Sequence, residues 1–262
     1  MKRLLWIFSR AYQKFNTDRC PLLASALVHA TTFSLFPLLL GLLSLSLFIL
    51  GSSEGIIDRI MPLINQAFPA GIDEIVKNIT ALKQTSIVVA VIGFIGFMWA
   101  SASIFRAVES TLNVIWKVKK DRPFLRKSLI TIGSTFLVLF GLLGSFGLTI
   151  WGRAAGASGV VRFLPEISFV LSTFLFGIIF KFFPNRRVRW KEAYFGALFT
   201  GVFWELAKHL FSIYIVRVVD YSKIYGSLSA IIILFLWLYY SAYIFLFGAE
   251  LSYVYARRKK LK

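Results

Sequence analysis

Residues 22–50 read LLASALVHATTFSLFPLLLGLLSLSLFIL, 29 positions without one Asp, Glu, Lys or Arg. A straight helix of that length reaches roughly 43 Å, longer than a hydrocarbon core of about 30 Å. The run reads as a membrane span, with Pro37 inside it as a kink point and tilt absorbing the excess length. It is too long for the core of a signal peptide and carries no convincing cleavage site.

Working outward, five more runs of the same kind follow. The six expected spans cover roughly 22–50, 86–106, 129–151, 167–184, 193–216 and 228–254. Composition agrees: 58% of the 262 residues are hydrophobic and 17% aromatic, with a mean hydropathy of +0.74. Soluble domains sit nearer 45–50% apolar. The expectation is an all-α polytopic membrane protein forming a single membrane domain over 1–262. Within it, 1–20 is an interfacial segment, 22–254 a six-helix bundle and 255–262 a basic tail.

The net charge of +18 would suggest nucleic acid in a soluble chain. Here the cations lie between the spans and alternate. Lys2, Arg3, Arg10, Lys14 and Arg19 precede the first span. Lys117, Lys119, Lys120, Arg122, Arg126 and Lys127 follow the second. Arg186, Arg187, Arg189 and Lys191 separate the fourth from the fifth, and Arg257, Arg258, Lys259, Lys260 and Lys262 close the chain. The intervening loops are poor in Lys and Arg. By the positive-inside rule both termini are cytoplasmic, in a plasma (inner) membrane, and the basic rim faces anionic lipid headgroups rather than nucleic acid. A second copy or an envelope protein is a further partner left open.

Two flanking segments are amphipathic. Leu4, Phe8, Ala11, Tyr12 and Phe15 share one helical face, as in a helix lying on the membrane surface. In the first outer loop, Ile56, Ile60, Leu63, Ile64 and Ala67 form one stripe and Ile72, Ile75, Val76, Ile79 and Leu82 another, divided by Phe68-Pro69-Ala70-Gly71. Two interfacial helices are expected there. Small residues recur four apart at Gly96/Ala100, Gly141/Ser145, Gly196/Thr200 and Ala197/Gly201, a spacing that suits close helix packing.

Against that apolar background the ionisable residues stand out. Glu205, Lys208 and His209 lie in the fifth span, with Glu205 about 20 Å along it from its inner end and the other two expected on the same side. An unpaired charge at mid-membrane costs at least ~2.5–3.5 kcal/mol, so Glu205 and Lys208 are expected to pair. The pair serves to fix helix packing, to handle a substrate or lipid headgroup, or to make a regulatory contact. Arg106, Glu109 and Asn113 make one polar stripe near the inner mouth of the second span. Glu250, near the inner end of the sixth, is left to a neighbouring helix, to Arg257 or Arg258, or to snorkelling. His29 is expected as a satisfied core histidine, with a proton-linked role as the alternative. Tyr225 and Gly226 open the sixth span, where glycine permits close approach. The lone Cys20 excludes an intrachain disulfide and is expected to be an inert thiol.

Catalysis is not expected. The chain has two histidines and no paired-histidine metal motif, Walker loop or nucleophile elbow. No metal or cofactor is implied.

The order of several short motifs resembles the YihY/BrkB family of bacterial inner-membrane proteins. They are Leu27 with Phe33-Ser34-Leu35-Phe36-Pro37-Leu38-Leu39, Thr111-Leu112-Asn113-Val114-Ile115-Trp116, Phe183-Pro184-Asn185-Arg186, Glu205 with Lys208, Ile224-Tyr225-Gly226-Ser227-Leu228, and Leu246-Phe247-Gly248-Ala249-Glu250. The likeness runs from about Ala24 to Tyr253. It implies six spans and a role in envelope integrity, with lipid export as a suggested activity. The family's old ribonuclease label is not carried over. The family usually places an aromatic residue where this chain has His29. Together these readings point to a transporter or flippase-like exporter of an amphipathic, anionic or lipid-like molecule; the alternative is a non-transporting scaffold.

Overall fold

A computed structural model of the protein describes residues 2–50, 87–119, 133, 164–217 and 229–258. Among these, six helices form an all-α fold: α1 (Lys2–Thr17), α2 (Cys20–Leu50), α3 (Ile87–Ile115), α4 (Leu164–Phe182), α5 (Trp190–Arg217) and α6 (Ser229–Arg257). Helices α2 to α6 cover five of the segments expected as spans; among the described residues, one of them, α6, is long and apolar enough to cross a membrane. The expected span at 129–151, the stripes at 51–85, and Tyr225 and Gly226 lie outside the described residues. So does the Gly141/Ser145 pair.

Helix α6 contains Ile231–Arg257, 27 residues long and apolar enough to cross a membrane. It is also the hub, touching α1, α2, α3 and α5. Helix α2 runs along α3, and α5 lies between α4 and α6.

Small residues set these contacts, as their spacing predicts. A Cβ at Gly196 would overlap the Gly248 carbonyl oxygen and the Ser252 hydroxyl, so α5 and α6 meet backbone to backbone. Thr200 lies one turn on and turns its hydroxyl back to the Gly196 carbonyl at 3.0 Å. One face over, Ala197 meets Gly177 and Gly201 accommodates Thr173, which seats α4. Gly96 of α3 packs on Pro37 of α2.

Two helix ends carry unusual backbone. Arg19 and Lys117 both have φ of 53°, the left-handed region normally left to glycine. At the end of α3 the Lys117 N–H donates to the Val114 carbonyl (3.0 Å) and the Val118 N–H to that of Asn113 (2.9 Å), a Schellman closure. At the end of α1, the Arg19 N–H donates to the Asn16 carbonyl (3.1 Å), turning the chain sharply into α2.

Helix α1 departs from expectation. Ile7, Ala11 and Phe15 are buried while Leu4, Leu5, Phe8 and Tyr12 are exposed. Phe15 packs on Tyr243 and Phe247 of α6, and the edge residue Phe8 reaches Phe199 of α5. The single stripe read from the sequence is therefore divided. One part docks on the bundle and the other stays outward. The helix has apolar residues on more than one face, and only the neighbour decides which is covered.

The most tightly enclosed side chains gather where the end of α1, the starts of α2 and α5, and the ends of α3, α4 and α6 meet. Cys20, Ala24, Leu112, Ile115, Phe180, Leu246 and Leu251 have no exposed surface there. This is also the end that carries Lys14, Lys117, Arg186, Arg187, Arg189 and Arg257, and it is called the basic end below.

Candidate functional site

At the basic end, α1, α3 and α6 converge on one ammonium. Lys14 Nζ lies 2.9 Å from Glu250 Oε2 and donates to the Ile115 carbonyl at 2.9 Å. It also pairs with Asp18, one turn along its own helix. The Tyr253 ring lies 4.1 Å away, in cation–π range. Glu250 is wholly buried, and its second oxygen accepts from the Cys20 thiol at 3.5 Å. Lys117 approaches Asp18 at 3.8 Å from the solvent side.

This arrangement resolves the partner of Glu250 and corrects the place of Lys14. Sequence reasoning put Lys14 among flanking surface charges, yet its side chain is 12% exposed. Two carboxylates and a carbonyl replace its water, and they come from residues at positions 18, 115 and 250. No local pattern links Lys14 to Ile115 or Glu250; only Asp18, four residues on, is a local neighbour. Arg257 and Arg258, the other partners considered for Glu250, stack instead on Tyr253 and Tyr255. Lys117 was missed for the same reason, whereas the four-residue spacing of Lys14 and Asp18 was a signal the sequence did carry. Cys20 is free and buried, as expected of an inert thiol.

The stripe of Arg106, Glu109 and Asn113 separates on folding. Arg106 is exposed and donates to Ser103 Oγ at 3.2 Å. Glu109 and Asn113 are buried. Asn113 Oδ1 accepts the Asn185 backbone N–H at 2.7 Å, which ties the end of α3 to the Phe183-Pro184-Asn185-Arg186 turn. That turn is closed from the other side by Lys181, whose ammonium reaches the Val188 carbonyl. The Arg189 N–H is capped by Glu192 at 3.0 Å, as in the reciprocal half of a capping box.

Glu205 and Lys208 do pair, Oε1 to Nζ at 2.7 Å, and both are only partly enclosed, 19% and 36% exposed. They follow Gly201 by four and seven residues, the spacing of the helical face that Gly201 sets against Thr173 of α4. His209, expected beside them, is exposed among Leu206, Leu210 and Ile213. These belong to an outward ridge that begins at Tyr194, Leu198 and Val202. Trp204 beside the pair packs on Phe176 and Trp237.

His29 is not a core residue. It is exposed on α2 and rests on Phe33, ring centres 4.6 Å apart. It lines a groove of about 500 Å³ between α2 and α6, with Leu22, Ser25, Thr32, Phe33 and Tyr239. The Tyr239 hydroxyl donates across the groove to Ser25 Oγ at 3.2 Å. An all-round apolar run gives no facing information, so the sequence could not place His29 outward. Among the described residues, no three His, Cys, Asp or Glu side chains group as a metal site would require.

A long apolar helix at the hub, an outward apolar ridge and cations gathered at one end fit an all-α membrane protein, the class its relatives are named for. The chain belongs to the virulence factor BrkB family, whose profile matches residues 11–262. A UPF0761 membrane protein of Methylibium petroleiphilum is 31% identical over 92% of this chain, which spans 60% of that protein's length. Another, from Aggregatibacter aphrophilus, is 28% identical over 96% of this chain and 92% of its own. A putative ribonuclease-like protein of Bacillus subtilis is 28% identical over 91% of this chain and 90% of its own. No solved structure matches.

Proposed function

We propose that the protein is a transporter or flippase-like exporter of an amphipathic, anionic or lipid-like molecule in a bacterial inner membrane. In this reading it has six spans, both termini cytoplasmic, and amphipathic helices in the first outer loop. The observation that carries it is the Glu205–Lys208 pair at 2.7 Å, held part-enclosed in a helix that is otherwise apolar on its outer ridge. A charge pair kept in such a helix has a desolvation cost that packing alone could avoid with apolar residues. The groove beside His29 adds a lateral surface suited to an acyl chain, and the basic end suits anionic headgroups. The ribonuclease-like name of one relative contributes nothing here, because the sequence holds no nuclease motif. We read the protein as a non-enzyme acting on membrane lipids, without nucleic acid.

The second reading is a scaffold that organises envelope components without moving them. The largely enclosed Lys14–Glu250 contact favours it, since this network fixes helices to one another. Proteoliposomes containing a fluorescent anionic phospholipid separate the two. Wild type is expected to expose inner-leaflet lipid to a membrane-impermeant quencher, and Lys208→Met to abolish this at equal protein incorporation. Arg106→Gln is expected to weaken it less. Wild-type vesicles indistinguishable from empty ones would leave the scaffold.

A further inference from the structure

The groove between α2 and α6 has apolar walls and opens outward. Leu22 and Phe33 of α2 and Phe235 of α6 line it and are exposed. Its volume of about 500 Å³ falls within the range of ligand pockets, about 300–1,000 Å³. Most of its polar groups are already engaged. The Tyr239 hydroxyl donates to Ser25 Oγ at 3.2 Å, and the Thr32 hydroxyl to the Val28 carbonyl at 2.8 Å. His29 differs. Its ring rests on Phe33, 4.6 Å between centres, yet among the described residues no group hydrogen-bonds its nitrogens.

A cation stands at one end of this surface. Leu22, Ala26, His29 and Phe33 follow one another at four, three and four residues and are all exposed, so they form one face of α2. Arg19 comes just before that face. Its carbonyl accepts the Leu22 and Leu23 N–H groups at 2.9 and 3.1 Å and closes the first turn of α2. Arg19 is itself exposed, and among the described residues its guanidinium has no partner. His29 lies ten residues further on, about 15 Å along the helix axis.

This order of groups selects an occupant. An imidazole in an apolar groove has a polar atom to satisfy, and a groove opening sideways from a membrane helix meets lipid rather than water. A phospholipid presents an anionic phosphate, then glycerol ester carbonyls, then acyl chains. Guanidinium holds phosphate through charge-assisted hydrogen bonds. The imidazole donates one N–H to an ester carbonyl, and the apolar walls take a chain. A fatty acid has a single carboxylate, which reaches one of the two residues and not both.

We propose that the α2–α6 groove binds one anionic phospholipid from the leaflet at the basic end. Its phosphate sits on Arg19, an ester carbonyl on His29, and one acyl chain against Leu22, Phe33 and Phe235. Use of this groove as the port through which a transported lipid enters rests on the transporter reading. The binding itself does not.

Photo-labelling of the full chain tests it without any transport step. The protein is placed in phosphatidylcholine nanodiscs with a trace of phosphatidylglycerol that carries a diazirine on one acyl chain. After irradiation the adducts are mapped by mass spectrometry. They are expected on 22–33 and 235–239, and unlabelled phosphatidylglycerol should displace them where oleate or further phosphatidylcholine does not. Arg19→Gln and His29→Phe should each raise the phosphatidylglycerol needed for half displacement, Arg19→Gln by roughly tenfold. Arg19→Lys and His29→Gln, which keep the charge and the donor, should lose less. Ala26→Trp fills the groove and should abolish its adducts while those on the α5 ridge at Leu198 and Leu206 persist, which also shows that the variant is folded. Adducts spread evenly over groove and ridge would mean bulk lipid, and displacement by oleate a fatty-acid groove. Either result overturns the proposal, as does unchanged displacement in Arg19→Gln or in His29→Phe. Intact displacement with no lipid translocation would instead remove the transporter reading alone.

Discussion

Lys14 of the first helix and Glu250 of the last meet at 2.9 Å although 236 positions separate them. The contact joins α1 to α6, and through the Ile115 carbonyl it also fixes the end of α3. Removing one partner strands a charge in a place without water, whereas replacing both removes the problem. Lys14→Met is expected to cost about 3–5 kcal/mol. The double variant Lys14→Met with Glu250→Gln should recover a large part of that. Additive losses in a detergent unfolding series would show that the two do not act as a pair.

Gly248 is expected to tolerate no side chain. Its Cβ would overlap Thr200 Oγ1 and approach the Gly196 carbonyl to 3.0 Å. Overpacking of this kind costs about 1–3 kcal/mol. Because the nearest atom is a hydroxyl, Thr200→Ala should rescue Gly248→Ala in part, leaving the Gly196 carbonyl at 3.0 Å and the Cβ of residue 200 at 3.2 Å. Equal stability of Gly248→Ala with and without Thr200→Ala would place the clash elsewhere.

Arg19 offers the opposite sign. Its φ of 53° costs a non-glycine residue about 1–2 kcal/mol. Arg19→Gly should therefore raise the unfolding midpoint, while Arg19→Ala, which keeps the Cβ, should not. A gain in both variants would mean that the guanidinium, not the backbone, is the source of strain.

The Asn113–Asn185 hydrogen bond at 2.7 Å pins the α4–α5 turn. Asn113→Ala leaves a backbone N–H without its acceptor, at an expected cost of about 1–3 kcal/mol. Asn113→Asp retains an acceptor oxygen and should lose less. Proteolysis within 183–189 would report the loosened turn directly.

Topology is testable by reporter fusion. Fusions after residues 120 and 188 are expected to report cytoplasm, and fusions after 70 and 158 the exterior. One reversed loop would discard the arrangement with six spans and both ends inside.

Much of this molecule was legible before its structure. The apolar runs predicted α2 to α6 because a long helix is the only way an isolated segment can satisfy its own backbone in lipid. The Gly196/Thr200 and Ala197/Gly201 pairs predicted two packing faces, since a four-residue spacing stays on one side of a helix. The Glu205–Lys208 pair was readable for the same reason. These are local relationships, carried by helical geometry alone.

The tertiary structure decided what distance along the chain conceals. Lys14 looked like a surface cation until Glu250, Asp18 and the Ile115 carbonyl surrounded it, and Arg106 parted from Asn113 although both lie on one helix. His29 faces outward because α2 and α6 leave a groove there, which an all-apolar sequence cannot announce. Helix α1 buries Ile7 and Phe15 rather than Leu4 and Tyr12 because α6 offers its aromatic face to only one side. Sequence periodicity fixes which residues share a face. Which face is covered depends on the shape and charge of a neighbour that may lie two hundred residues away, and only packing chooses it.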